Sequence, residues 1–213
     1  MKVSPAKENI LKRVRNALSQ PVQLPFPRAE GNASVYNTPE GEEPEIAFAE
    51  AFSRLQGKFV FCADHEELAA NLSALAANKD WKKVHCQELQ LVHILSPYSL
   101  SFINTGEDMD DIDAGITTCE ALVARTGSII MSAAQPSGRS VGIFAPVHIV
   151  VAYASQLVPD IKEGLQYLKE KYGPELPSMI SFQTGPSRTA DIEKTLVVGV
   201  HGPREVYVFL VDQ

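Results

Sequence analysis

Four short segments of the chain carry residue types and spacings that could do chemistry. The first is residues 184–193, Thr-Gly-Pro-Ser-Arg-Thr-Ala-Asp-Ile-Glu, which reads as a strand end, a Gly-Pro turn and a helix start. Free backbone N–H groups at a helix start attract anions, and Gly185, Ser187, Arg188 and Thr189 would add a close backbone approach and polar donors. The pattern predicts a phosphate, carboxylate or nucleotide site, with an ordinary capped turn as the alternative.

The second segment is residues 199–204, Gly-Val-His-Gly-Pro-Arg. Its two glycines indicate a tight turn that presents His201 and Arg204. A histidine on a short loop of an α/β protein can act as a general acid or base, or contact a ligand. The alternative is a polar turn residue. No second histidine stands at metal-ligand spacing, so we expect no metal site here.

The third segment is residues 113–120, followed by the Thr126-Gly127-Ser128 turn. Asp113 and Glu120 are candidate carboxylates on either side of a predicted helix start, where a carboxylate near an anion site can serve as nucleophile or base. The alternative is that both cap a helix or hold a loop. Thr126 and Gly127 are counted with the ligand-binding candidates.

The fourth segment is residues 136–140, Pro-Ser-Gly-Arg-Ser, between two predicted strands. Arg139 could clamp a ligand there, or the segment is a plain polar loop. The chain contains no P-loop, G-x-G-x-x-G, G-x-S-x-G or H-E-x-x-H pattern. The sequence signatures of the common ATPases, dinucleotide-binding proteins, serine hydrolases and zincins are therefore absent.

Composition narrows the class of protein. The chain has 213 residues, of which 45% are hydrophobic and 21% charged, values typical of a globular protein with a core of its own. Its 19 basic and 26 acidic residues give a net charge of −7, and no local basic patch favours nucleic acid. The N-terminus lacks the apolar core of a secretion signal, and no apolar run is long enough to span a bilayer, so we expect a cytoplasmic protein without membrane insertion.

The cysteines are few and widely spaced. Cys62, Cys86 and Cys119 form no C-x-x-C pair, and their odd number precludes a complete set of disulfides within one chain. An iron–sulfur cluster or a cysteine-rich zinc site held by this chain alone is not expected. We interpret all three as buried, reduced thiols.

The order of apolar and turn residues predicts three regions. Residues 1–18 form an amphipathic helix, 19–45 a linker with five of the fourteen prolines, and 46–213 an α/β domain. The N-terminal helix either packs on another chain, as in a homo-oligomer, or folds back on its own domain. Strands alternating with helices predict a mainly parallel sheet with helices on both faces, and ligands beyond the carboxyl ends of its strands.

Some of the predicted elements carry the candidate residues directly. We expect helices over 117–125 and 190–198 and a strand over 141–145. We also expect strands over 59–62, 128–132, 148–152, 179–182 and 206–211, and helices over 65–78 and 161–172.

Taken together, the motifs resemble the lactate-utilisation protein C family. The matching segments are Asp113-x-Gly115-Ile116-Thr117, Thr126-Gly127-Ser128, residues 185–193 and residues 199–203, in this order. The resemblance covers about residues 46–213, and the GPSRTADIE and GVHGP pair is its specific part. Two departures are Ser128, where threonine is usual, and Arg125, where an acidic residue is common.

The resemblance implies the fold of glucosamine-6-phosphate deaminases, ribose-5-phosphate isomerases and CoA transferases. It also implies a role beside iron–sulfur partner proteins that oxidise L-lactate to pyruvate, in which this chain binds a small anionic metabolite or assembles the complex. The resemblance specifies no cofactor. One alternative is an independent enzyme of the CoA-transferase or formyltetrahydrofolate cyclo-ligase type, with Glu120 or Asp113 as nucleophile or base. Another is a binding module that senses a metabolite without turnover.

Overall fold

The fold was analysed in a computed structural model of the chain. The chain divides into two units, Met1–Asn37 and Thr38–Gln213. The structure describes residues 5–19, 43–98, 100, 103–104, 111–137, 139–190, 196–199 and 201–212. Outside the described residues lie residues 1–4 of the predicted N-terminal helix, most of the linker, and Asp191 and Glu193 of the first candidate segment.

The first unit contains the predicted N-terminal helix, α1 (Pro5–Leu18). Ile10, Leu11, Val14 and Leu18 recur at helical spacing and form a stripe along one side. The four side chains are exposed, Leu18 by as much as 79%. The chain therefore forms the predicted helix, with an apolar stripe along one side of it.

The second unit alternates helices and strands. Its helices are α2 (Pro44–Arg54), α3 (His65–Asn78), α4 (Leu89–Leu95), α5 (Val141–Phe144) and α6 (Ile161–Tyr172). Its strands are β1 (Lys58–Cys62), β2 (Val84–His85), β3 (Ile103–Asn104), β4 (Ala114–Thr117), β5 (Ala121–Val123), β6 (Ser128–Ser132), β7 (Val147–Tyr153), β8 (Leu157–Val158), β9 (Ile180–Gln183), β10 (Arg188–Ala190), β11 (Leu196–Val198) and β12 (Glu205–Val211).

Within the described residues, six strands form a parallel central sheet in the order β1-β12-β7-β4-β2-β3. Phe59, Val208, Val150 and Thr117 lie side by side across four of them. The long central strands β7 and β12 are almost wholly buried, as expected for parallel strands covered on both faces. The predicted α/β class with a mainly parallel central sheet is confirmed.

Different elements cover the two faces of this sheet. Helices α3 and α4 pack on one face, where Leu68, Leu72 and Leu91 meet Ile149 and Phe209. Helix α2 and a second sheet, of order β8-β5-β6-β9 in the described part, cover the other face. Helix α6 packs on the outer side of that second sheet through Leu168. A sheet thus shares with α2 the face for which the sequence predicted helices.

Capping residues set the ends of two of these helices. The Asp64 side chain accepts a hydrogen bond from the backbone N–H of Glu67 at the start of α3. The Asp160 side chain does the same with Ile161 at the start of α6, which ends at Gly173.

Two predicted elements around the third and fourth segments are wrong. The helix over 117–125 is instead the end of β4 and strand β5, because Leu122 faces the central sheet while Ala121 and Val123 face α6. A run buried on alternate sides suits a strand between two layers. The strand over 141–145 is instead the short helix α5, whose Ile143 and Phe144 are exposed.

The helix predicted over 190–198 is also wrong. Strands β10 and β11 form an antiparallel pair in which Arg188 lies opposite Val198 and Ala190 opposite Leu196. The run Leu196-Val197-Val198 is rich in β-branched residues, which favour strands. The first candidate segment therefore leads into a strand, and its anion site cannot rest on a helix N-terminus.

Candidate functional site

Three of the four segments meet, and several of their residues hold the end of α2. Gly127, with φ +60°, lies so close to α2 that a Cβ there would be 2.5 Å from the backbone N of Phe52. A Cβ at Gly185 would be 2.8 Å from the carbonyl oxygen of Leu55. Arg188 Nη2 donates to the same carbonyl oxygen at 2.7 Å, which caps the last turn of the helix. Gly127, Gly185 and Arg188 therefore hold the end of α2 in place.

Hydroxyl groups join the 126–128 turn to the first segment. Thr126 Oγ1 donates to Ser128 Oγ at 2.8 Å, and Ser128 Oγ lies 2.9 Å from Thr184 Oγ1. The serine at position 128, where the related pattern has threonine, still supplies the hydroxyl. Arg125, the second departure, forms a bidentate pair with Asp160 at 2.7 and 2.9 Å. This hydrogen-bonded arginine lowers the pKa of Asp160.

Ser187 fastens the second segment to the first. Its N–H donates to the carbonyl oxygen of Pro203 at 2.9 Å, and its carbonyl oxygen accepts from the N–H of Gly199 at 3.0 Å. Its hydroxyl donates to the carbonyl oxygen of His201 at 2.8 Å. A Cβ at Gly202 would come within 2.9 Å of the Ser187 Cβ. Ser187 therefore fixes the backbone of the loop that carries His201.

This loop lines a cleft of about 400 Å³, which we call the amino-edge cleft. It lies where β7 and β12 begin, and the N–H of Arg204 ties the loop to the carbonyl oxygen of Pro146 at 2.8 Å. The lining residues are Ile143, Phe144, Pro146, Gly199, His201, Gly202 and Arg204. The sequence predicted ligands at the carboxyl ends of the strands, whereas this cleft is at the opposite edge.

The amino-edge cleft combines two polar side chains with an apolar wall. His201 and Arg204 are exposed, and within the described residues neither side chain makes a hydrogen bond or ion pair. Ile143 and Phe144 line the same cleft as exposed apolar groups. A guanidinium binds a carboxylate through two parallel N–H bonds, and an imidazole adds another donor. The cleft can therefore hold a small carboxylate with a short apolar group.

A second cleft, of about 370 Å³, lies at the carboxyl ends of β2 and β4, and we call it the carboxyl-edge cleft. Glu120 lines it and is only 1% exposed. Its carboxylate accepts hydrogen bonds from Ser132 Oγ, from Tyr172 OH at 2.7 Å and from Lys171 Nζ at 2.7 Å. Burial raises the pKa of Glu120, but these three donors outweigh it and hold the pKa below its usual value. Glu120 is therefore an ionised carboxylate.

The same cleft contains a second buried carboxylate that the sequence analysis missed. Glu88 is 4% exposed and accepts hydrogen bonds from the hydroxyls of Thr118 and, at 2.9 Å, Ser137. Gln135 Nε2 donates to the carbonyl oxygen of Thr118 at 3.0 Å. Glu88 and Lys171 carry no motif. Glu88 lies shortly after β2, at the edge of the sheet where ligands were expected.

The remaining candidates lie apart from both clefts. Asp113 accepts from the backbone N–H groups of Lys82 and Lys83 at 2.7 and 2.9 Å, at the opposite end of β4 from Glu120. Arg139 Nη2 donates to Ser178 Oγ at 2.7 Å on the surface. Thr189 is in β10, and its side chain is outside the described part. The structure does not bring Asp113, Glu120 and Arg139 into one pocket.

A buried histidine is a further polar feature that the sequence did not single out. His148 Nδ1 lies 2.9 Å from Gln183 Oε1, and its Nε2 lies 2.8 Å from Thr117 Oγ1. An amide oxygen only accepts, so Nδ1 carries the proton and Nε2 accepts from the threonine. Burial lowers the pKa of His148 to about 4, and the ring is neutral. It links the central sheet to the second sheet.

The described residues contain no group of side chains arranged to hold a metal ion. In the described part of the chain, no helix is both long and apolar enough to cross a membrane. The three cysteines are buried and unpaired, as predicted. Burial raises the pKa of the Cys86 thiol to about 11.

Comparison with known proteins supports the resemblance read from the motifs. The chain is 38% identical over 110 residues to lactate utilization protein C of Halalkalibacterium halodurans, which is 50% of this chain and 48% of that protein. It is 34% identical over 107 residues to lactate utilization protein C of Bacillus subtilis, 49% of this chain and 45% of that protein. The matched segment thus spans about half the length of these curated relatives.

A solved structure and a family model complete the comparison. A crystal structure of a DUF162 family protein from Deinococcus radiodurans covers 88% of this chain and 99% of its own, with a TM-score of 0.54 and 19% identity. That likeness shows the fold alone. The LUD domain family model matches residues 46–211, most of the chain. The chain therefore belongs to the LUD domain family.

Proposed function

We propose that this chain is a non-redox component of L-lactate utilisation that binds a small carboxylate, L-lactate or pyruvate, in the amino-edge cleft. The observation that carries the proposal is the pair His201 and Arg204, whose side chains have no partner within the described residues. The link to lactate comes from the relatives, which are named lactate utilization protein C. The partners are then the iron–sulfur proteins that the family resemblance implies.

Each side chain of the cleft has a distinct task in this proposal. Arg204 holds the ligand carboxylate through two N–H donors, and His201 donates to the same carboxylate or to the oxygen on the neighbouring carbon. Phe144 and Ile143 pack on the methyl group of the ligand. Ser187 acts indirectly, because its hydroxyl fixes the backbone of His201.

The proposed role is binding rather than electron transfer because of the cysteines. Three cysteines at wide spacing cannot supply the four ligands of a cubane or two-iron cluster. Their thiols are also buried, so they are poorly placed to react. Electrons from lactate would therefore pass through the partner proteins, while this chain presents the ligand or assembles the complex.

Thermal unfolding with added ligand tests the proposal. L-lactate or pyruvate at about 100 times its dissociation constant adds about 2.7 kcal/mol, a rise of roughly 5–11 °C in Tm for a chain of this length. We expect Arg204→Gln to abolish the rise and Arg139→Gln, a surface arginine bonded to Ser178, to keep it. An equal rise in both variants would place the ligand elsewhere, and no rise in the parent would contradict the proposal.

A second candidate function rests on Glu120. A buried, ionised carboxylate at the carboxyl edge of a parallel sheet is where a CoA-transferase-type nucleophile or a base would stand. Such an enzyme should lose its catalytic turnover in Glu120→Gln. The Asp113→Asn variant then shows which of the two carboxylates that the sequence singled out is needed. Unchanged turnover in Glu120→Gln would reject this candidate, and stable ligand binding without any turnover would favour a binding or sensing role.

A further inference from the structure

An apolar groove with an acidic rim lies between α2 and β1. Its volume is about 670 Å³. Ile46, Ala49, Phe59 and Phe61 form its floor, and Ile46 and Phe61 are 50% and 47% exposed. The rim carries four carboxylates, on Glu43, Glu45, Glu50 and Asp212. Adjacent exposed apolar side chains that are rimmed by polar residues are typical of an interaction surface.

The groove lies at the edge of the central sheet. In the described residues β1 pairs with β12 alone and is the end strand of the sheet order. Edge strands are sites where other chain segments pack, and proteins commonly cover them with a helix or loop. The groove therefore needs an apolar partner that tolerates, or prefers, a negative rim.

Helix α1 has the complementary pattern. Its stripe of Ile10, Leu11, Val14 and Leu18 is exposed. At 100° per residue, Arg13 and Arg15 fall on opposite sides of that stripe, so cations flank the apolar face along both margins. A helix of 14 residues is marginal in water without packing. Its apolar stripe matches the groove floor, and its flanking arginines match the rim.

We propose that α1 of a second copy of this chain binds in the groove, so that two copies exchange helices. The connecting residues 19–43 contain Pro21, Pro25, Pro27 and Pro39. Proline-rich composition favours extended spacers, which carry a helix away from the point where the spacer ends. That point is Glu43, on the rim of the chain's own groove. Reciprocal exchange then fills both grooves in a closed two-fold dimer.

Charge reversal tests the exchange on the full chain. The helix variant is Arg13→Glu/Arg15→Glu, and the groove variant is Glu45→Lys/Glu50→Lys. Each variant alone places like charges together, and we expect its dimer dissociation constant to rise at least about 100-fold. Mixing the two variants restores opposite charges at both contacts, so a heterodimer should form. Lys162→Glu/Lys169→Glu, which reverses two exposed charges on α6, is the matched control and should stay dimeric.

Analytical ultracentrifugation of each sample over a range of concentrations gives the readout. We expect the parent chain to be dimeric, the helix variant and the groove variant each to be monomeric alone, and the mixture of the two variants to be dimeric. A parent that stays monomeric at every concentration would overturn it, and would instead favour an arm folded back on its own domain. A helix variant that stays dimeric would also overturn it, because another surface would then hold the copies together.

Discussion

Removing the cation beside Glu120 should destabilise the fold in a pH-dependent way. Lys171→Met takes away the ammonium 2.7 Å from a carboxylate that is 1% exposed. Two hydroxyl donors, Ser132 and Tyr172, would remain. A hydrogen bond to a charged group contributes about 1.5–3 kcal/mol, and Lys171 is 44% exposed, so we expect a loss near the lower end, about 2 kcal/mol.

The pH dependence follows from the direction of the pKa shift. The parent holds the pKa of Glu120 below its usual value, so its contribution to stability is present at neutral pH and is lost as pH falls through that lowered pKa. In Lys171→Met, burial dominates and the pKa of Glu120 rises. The variant therefore takes up a proton at higher pH than the parent does. The difference in stability narrows as pH falls through the raised pKa of the variant towards the lowered pKa of the parent.

Urea unfolding of the parent and two variants measures this effect. Lys169→Met is the matched control, since Lys169 lies on the same helix, is exposed and makes no side-chain hydrogen bond or ion pair in the described part of the chain. It should change stability by less than about 0.5 kcal/mol. Equal losses in Lys169→Met and Lys171→Met, or a difference independent of pH, would refute the account of the Glu120 contacts.

Three further predictions concern single positions. Gly127→Ala should cost at least about 2 kcal/mol in urea unfolding, because φ is positive there and its Cβ meets the α2 backbone. A loss of less than about 1 kcal/mol would contradict this. His148 resists protonation in the folded state, so the free energy of unfolding should fall by up to about 3 kcal/mol as pH falls from about 6.5 to about 4. His148→Gln should remove that part of the acid sensitivity in the same urea unfolding assay. Gly199→Ala would place a Cβ 2.1 Å from Arg204 Cγ and displace that side chain. The variant should bind pyruvate at least about 10-fold more weakly, as measured by calorimetry. Unchanged affinity would exclude Arg204 from the ligand contact.

Local signals in the sequence predicted much of the fold. The helices α3 and α6 were predicted from the helical spacing of their apolar residues, and both form over the predicted ranges. The central strands β7 and β12 were predicted from continuous apolar runs. Such runs are typical of parallel strands that are buried on both faces of the sheet. These signals depend on neighbouring residues alone.

The errors arose where tertiary contacts decide the structure. Ala121 and Leu122 suit a helix by composition, but packing in the layer between the central sheet and α6 makes them part of a strand. Arg188 was expected to bind an anion, and its partner Leu55 is 133 residues away in the sequence. Spacing along the chain therefore found the segments that meet but could not show which side chains hold the fold and which face solvent.

The carboxyl-edge cleft shows the same limit. Glu120 was singled out by its motif, whereas Lys171 is 51 residues away and Glu88 has no motif at all. The packing of α6 on the second sheet brings Lys171 to Glu120, and the pairing of β2 with β4 brings Glu88 to Thr118. His201 and Arg204 were found because glycines mark their loop, and the structure adds the apolar wall of Ile143 and Phe144 in the same cleft.

A crystal structure of the full chain with pyruvate tests the central claim most directly. The account predicts the ligand in the amino-edge cleft, with its carboxylate within hydrogen-bond distance of the Arg204 guanidinium and its methyl group against Phe144. Pyruvate bound beside Lys171 and Glu120 in the carboxyl-edge cleft, with the amino-edge cleft empty, would contradict it.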